Sequence, residues 1–247
     1  MFVPGRSLAS RAPQARASRP WLLAALLIVF MDADAWAQTT QLWPELSTYV
    51  KLTDQARLYF LATTVKEGRD STSGEFGPNL DIHLHAFGVR EHWAGFRLDE
   101  SKNRTLLVRI GYRYLPTYTG DDPVENRGVL EATARYPLIK GGVLVSNRSR
   151  VDFRFIEGDY SWRYRNRLSI EREFPVGRVR VNPYVRAEVF YDSRVDEWSR
   201  TELVAGASFP VNAHWELEGY FDNQHDTGGS PNRTVRAIGA VVNFYLR

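Results

Sequence analysis

Two clusters in this 247-residue chain are candidates for catalysis or ligand binding. The first is Asp81, His83 and His85. Side chains two apart on a strand point the same way, so these three share one face if the segment is extended. An imidazole pair can ligate a metal or serve as the base to a hydroxyl, which makes Asp81, His83 and His85 the catalytic candidates. No G-x-S-x-G or H-E-x-x-H stretch accompanies them, and the competing reading is that they are ordinary polar residues of a strand face. His92, His214 and His225 stand apart from the group. The chain has no Cys, so disulfides, thiolate metal sites and cysteine nucleophiles are excluded. No metal site and no cofactor is assigned.

The second group is arginine. Of 32 basic residues only Lys51, Lys66, Lys102 and Lys140 are lysine, which leaves 28 Arg. Arg109, Arg113, Arg163, Arg165, Arg167, Arg178, Arg180 and Arg186 recur at alternate positions along extended segments. They share those faces with Glu131, Asp152, Glu171, Glu188 and Glu202. Guanidinium stays charged and its planar fork pairs bidentately with carboxylates. One reading is a cross-strand salt-bridge network that fills a narrow barrel. The other is an anion-favouring lining, since rings of Arg and Lys select anions. Its expected wall is Arg163, Arg165 and Arg167 beside Arg178, Arg180 and Arg186.

These residues need strands to position them, and the sequence alternates with period two from Leu42 onward. In 104–115, Leu106, Val108, Ile110, Tyr112 and Tyr114 oppose Leu107, Arg109, Gly111 and Arg113. In 159–173, Tyr160, Trp162, Tyr164, Leu168 and Ile170 oppose Ser161, Arg163, Arg165, Arg167 and Glu171. Either a secreted soluble sandwich or a transmembrane barrel alternates in this way. The segments exceed the usual soluble strand of about five or six residues and match the roughly nine to eleven needed to cross a bilayer at a tilt. Aromatics such as Tyr112, Tyr136, Tyr160, Trp162, Tyr191, Trp215 and Phe244 stand at the ends of the apolar faces, where an interfacial girdle belongs. The fold class expected is therefore all-β, a single antiparallel transmembrane barrel. Direct counting finds eleven segments, at 42–52, 56–65, 79–98, 104–115, 125–137, 142–154, 159–173, 178–191, 198–209, 213–224 and 232–246. Even counts are the rule for bacterial barrels, so about twelve strands are expected, with about ten as the alternative. The long segment 79–98 is the place where a further strand could hide. Short turns are expected at 53–55, 99–103, 138–141, 175–177 and 210–213. Longer or looser connections are expected at 66–78, 116–125, 156–159, 192–197 and 225–232.

The first 37 residues read as an address. Arg6, Arg11, Arg16 and Arg19 precede the apolar run from Trp21 to Met31, and Ala35-Trp36-Ala37 follows. That order is the charged, apolar and small-residue plan of a secretory signal peptide, with cleavage expected after Ala37 and one domain over 38–247. Removing four Arg and two Asp leaves 28 basic against 27 acidic residues, a near-neutral chain that gives no argument for nucleic acid. The expected location is the outer membrane of a Gram-negative bacterium.

Trp162-Arg163-Tyr164-Arg165-Asn166-Arg167, then Asn182-Pro183-Tyr184, then Glu188-Val189-Phe190-Tyr191-Asp192, carry a family likeness. With the strand from Arg200 to Gly206, the early Leu42-Trp43 and Gly111-Tyr112-Arg113-Tyr114, the chain resembles the DUF2490 family, uncharacterised bacterial proteins similar to outer-membrane barrels. The resemblance spans essentially 38–247 and implies fold and compartment without an activity. It also implies, as partners, outer-membrane lipid and lipopolysaccharide and the barrel insertion machinery; barrels of this kind usually end on an aromatic residue that the machinery recognises, whereas this chain ends Phe244-Tyr245-Leu246-Arg247. Three functions follow: a structural barrel or small channel that binds or passes small anions, a lipid- or lipopolysaccharide-modifying enzyme using His83 or His85, or a secreted soluble sandwich that binds a ligand.

Overall fold

A computed structural model of the chain describes residues 39–67, 71–84, 99–119, 123–138, 142–177, 179–228 and 232–246. The expected signal peptide over 1–37, together with His85, His92 and Arg178, lies outside the described residues.

The period-two pattern produces long strands. They are β1 (Thr39–Lys51), β2 (Ala56–Glu67), β3 (Ser71–Leu84), β4 (Leu106–Leu115), β5 (Thr117–Thr119), β6 (Glu125–Leu138), β7 (Val143–Ile156), β8 (Asp159–Arg172), β9 (Phe174–Val176), β10 (Val179–Asp192), β11 (Glu197–Pro210), β12 (Trp215–Asp226) and β13 (Arg233–Leu246). Eleven of them form a closed barrel in which each long strand pairs antiparallel with the next. The two short strands add to its rims, β5 against β3 and β9 against β10. The ring closes between β13 and β1, which run parallel from Thr39 opposite Val235 to Val50 opposite Leu246. That contact explains the strand number. An even count is required only when the first and last strands meet antiparallel; here a parallel seam accommodates an odd ring.

The third strand is displaced from its expected position at 79–98, because Gly74, Gly77 and Pro78 suggest a loop and instead lie within β3. Gly77 is needed there for close approach: a Cβ would sit 1.8 Å from the Tyr112 carbonyl oxygen on the neighbouring strand. Pro78 opposes Phe60 of β2. From Asn79 to Leu84, β3 pairs directly with β4, so no barrel strand intervenes between them. The expected loop asymmetry does not hold either. Taking the end that contains Thr39 as upper, the upper connections include the three residues 68–70 and the two-residue turn Glu157-Gly158. Both turn residues have positive φ, 53° and 98°, the geometry of a tight hairpin. The longest connection, 85–105, joins the lower ends of β3 and β4, where a short turn was expected.

The two faces of the barrel differ sharply. Ile110, Val185, Leu203 and Ile238 point outward and are half-exposed or more. Outward aromatics gather at the upper end, with Trp162 stacked on Tyr191 at 5.2 Å and Tyr191 edge-on to Trp198. A smaller set stands at the lower end, where Trp215 lies 4.3 Å from Phe244. The interior is mostly polar: Asp81, Asp152, Arg113, Asp222 and Glu188 are all buried. Apolar packing inside is confined to patches such as the stack of Tyr49 on Tyr59 and Tyr245, at 4.8 and 5.0 Å.

Candidate functional site: an ion-paired interior with a central cavity

Strand register sets up an electrostatic conflict and then resolves it. Pairing of β7 with β8 places Arg148 opposite Arg167, and Arg150 opposite Arg165. Like charges facing each other destabilise a sheet. Pairing of β8 with β10 then places Glu188 beside Arg167. Its carboxylate binds Arg148 at 2.6 Å, Arg165 at 2.9 Å and Arg167 at 2.5 Å. Asp192 acts similarly nearer the upper rim, meeting Arg154 at 3.0 Å and Arg163 at 2.8 Å. Glu125 holds Arg127 and Arg154, both at 2.7 Å. On the neighbouring wall Asp81 accepts from Arg57 and Arg109 at 2.9 and 2.6 Å. Charges this buried persist only where paired and hydrogen-bonded, and each of these carboxylates has at least two guanidinium partners.

The layers differ in sign. A cavity of about 630 Å³ runs through the interior. Among the described residues it is lined by thirteen Arg and Lys side chains against seven Asp and Glu. Asp81, Asp152, Glu188 and Asp192 do not reach it. Those four carboxylates stay against the barrel wall with their arginines, whereas Glu45, Glu75, Glu171, Glu202, Glu218, Asp222 and Asp226 share the cavity lining with the basic side chains. Basic side chains therefore outnumber acidic ones along the described lining of this cavity. Arg148 Nε and Arg150 Nη2 are buried without a hydrogen-bond partner, so donor capacity remains at the β7 wall.

The arginines read from the sequence divide between places. Arg109, Arg113, Arg163, Arg165, Arg167 and Arg186 all line this cavity. Of the expected wall of Arg163, Arg165 and Arg167 beside Arg178, Arg180 and Arg186, Arg178 lies outside the described residues, and Arg163, Arg165, Arg167 and Arg186 line the cavity while Arg180 does not. Antiparallel pairing sets Arg163 opposite Asp192 and Arg186 opposite Ser169, and Arg180 pairs with Glu173 at the lower rim. Arg186 instead pairs with Glu218 of β12 at 3.3 Å and lies 3.7 Å over the Tyr184 ring.

Asp81 and His83 do share an inward face of β3, and both are buried. Asp81 is consumed by its two arginines. His83 has no hydrogen-bond partner on either ring nitrogen, so nothing orients it toward a hydroxyl. Among the described residues no group of three or more His, Asp or Glu side chains is arranged to hold a metal ion. His83 faces a smaller lower cavity of about 200 Å³ together with Arg57, Asp99 and Ser101.

Two important cations were not singled out in the sequence. Arg57 bridges Asp81 and Asp99, and the alternation of Arg57, Tyr59 and Leu61 along β2 could have revealed its inward face. Lys102 comes from a connection and reaches Glu171 of β8 at 2.6 Å; no periodicity signals that. Burial opposes the charge on Asp99, but Arg57 foremost and then Lys102 hold its carboxyl well below the usual range. Burial likewise opposes the Lys102 ammonium, and the Glu171 carboxylate foremost keeps its pKa raised.

A family model described as a protein of unknown function, DUF2490, matches residues 40–235. The chain belongs to the DUF2490 family. The match runs from β1 into the start of β13 and so takes in nearly the whole ring of this DUF2490 barrel. Comparison with curated proteins found no match.

Proposed function

We propose that this DUF2490 protein is an outer-membrane barrel whose interior passes small anions. The observation that carries the reading is the inversion of polarity across one sheet. Outward positions such as Ile110 and Ile238 are more than half exposed, at 54% and 57%, while inward Asp81 and Asp152 are fully buried at 0%. A water-soluble barrel would place its charges outside. A barrel in lipid places an apolar band outward and its polar residues inward, with aromatics at both interfaces. Strands of ten to fourteen residues suffice to cross a bilayer at a tilt. The cationic inner surface then favours anions over cations, with affinity held low because most of its guanidiniums are already neutralised by wall carboxylates.

Outer-membrane lipid, lipopolysaccharide and the insertion machinery are the partners this reading requires. The lipid-modifying alternative has little support, because its histidine His83 faces the interior and carries no hydroxyl partner. The sandwich alternative fails on the closed single ring. The test is insertion and flux. Residues 38–247, refolded with lipid vesicles, are expected to resist alkaline extraction, to migrate anomalously unless heated, and to release entrapped chloride faster than potassium. A protein that stays soluble without detergent and binds no vesicles would refute it.

A further inference from the structure

The connection from β3 to β4 enters the barrel interior at its described end. Its last part, a short 3₁₀ turn over Glu100–Asn103 entered through Asp99, is capped by Asp99, whose side chain accepts from the Ser101 amide. This turn is tied to three separate strands. Asp99 Oδ1 meets Arg57 of β2 at 3.0 Å. The Ser101 carbonyl accepts from Arg135 of β6 at 2.9 Å. Lys102 Nζ meets Glu171 of β8 at 2.6 Å. β2 and β8 are far apart around the ring, so the turn spans the bore instead of lying on one wall. Its two sides also face different spaces. Asp99 and Ser101 line the lower cavity, whereas Lys102 lines the central one.

We infer that the turn at 99–103 is a plug that partitions the bore, with the Lys102–Glu171 and Arg57–Asp99 pairs as its latches. A surface turn would need no such anchors. This one has a latch or hydrogen bond on each of three walls, made from side chains that otherwise could complete the barrel's own network. Charge-assisted contacts of this kind are stronger than neutral hydrogen bonds, and an anion offers Lys102 the same kind of acceptor as the Glu171 carboxylate. An anion arriving from the central cavity meets Lys102 first and competes with Glu171 for it, so passage and release of the latch are coupled. The inference rests on the conducting-barrel reading and adds to it the site at which flow is limited.

The experiment is unitary conductance in planar bilayers of the unsubstituted barrel, Lys102→Met, Glu171→Gln and Asp99→Asn, each first shown to be inserted by heat-modifiable migration. Lys102→Met removes a positive charge and Glu171→Gln removes a negative one, so they change the field oppositely while breaking the same latch. The expected result is a several-fold rise in conductance for both, and for Asp99→Asn through the other latch. Opposite changes in the two Lys102–Glu171 variants would mean a field effect and would overturn the plug. A conducting barrel that none of the variants alters also overturns the plug, and leaves the channel reading standing. Silence of all four inserted barrels overturns both, since a released plug then opens no path.

Discussion

Replacing Glu188 by Gln should be the most damaging single-atom change in the barrel interior. Its side chain is 1% exposed and anchors three guanidiniums, at 2.6, 2.9 and 2.5 Å. Removing one partner of a buried ion pair costs about 3–5 kcal/mol because the remaining charge is left uncompensated. Here the loss is moderated. Arg148 retains Glu131 at 3.7 Å, Arg165 retains Asp152 at 4.0 Å and Arg167 retains Glu202 at 3.4 Å. Those second contacts are longer, so the expected loss is at the lower end, about 3 kcal/mol. The assay is urea unfolding of the barrel folded in lipid vesicles, followed by tryptophan fluorescence. Glu202→Gln, which touches Arg167 alone among these three, is the comparison and should cost about 1 kcal/mol. A Glu188→Gln loss no larger than that of Glu202→Gln would refute the claim that Glu188 neutralises the β7–β8 arginine cluster.

Placing a charge on the outer face tests the surrounding medium: Ile110→Arg and Ile238→Arg should each cost about 2–4 kcal/mol in lipid, as at a bilayer midplane, and near-zero cost in the same unfolding assay would mean that these faces meet water. Gly77→Ala should cost about 1–3 kcal/mol through overpacking against the Tyr112 carbonyl, measurable as a lower urea midpoint, whereas Gly219→Ala, with open space around its Cβ, should leave the midpoint nearly unchanged. Asp99 is held below its ordinary value; a depressed carboxylate contributes stability above its unfolded pKa and loses it as pH falls through the folded pKa. Acid titration below about pH 4 should therefore loosen the lower end, with accelerated amide exchange at Lys102 and Arg104, and Asp99→Asn should weaken that pH dependence, leaving the share carried by Glu171.

Alternation made the barrel legible because both faces have a strong sign. Leu106, Val108 and Ile110 against Leu107, Arg109 and Gly111 leave one way to set β4 in the sheet, and a slip of one residue would reverse every side chain. The segment 79–98 was misplaced for a local reason. Glycine and proline usually signal a turn, and nothing in the sequence reveals that Gly77 is demanded by the close approach of Tyr112. Strand parity was also hidden, since the parallel seam between β1 and β13 is a long-range property. The arginines of the interior could be named from alternation, but their partners could not. Arg163 meets Asp192 and Arg186 meets Glu218 because of register between strands, which the linear sequence does not contain. Lys102 escaped altogether, because a residue in a connection has no periodicity to announce where it points.

A cationic inner surface in a lipid-embedded barrel favours anions, and that preference sets the reversal potential. Residues 38–247 inserted into a planar bilayer under a tenfold potassium chloride gradient should give a reversal potential displaced toward that of chloride. The displacement should shrink when Arg150, whose Nη2 is buried without a partner, is replaced by Gln. A reversal potential at that of potassium would contradict the account.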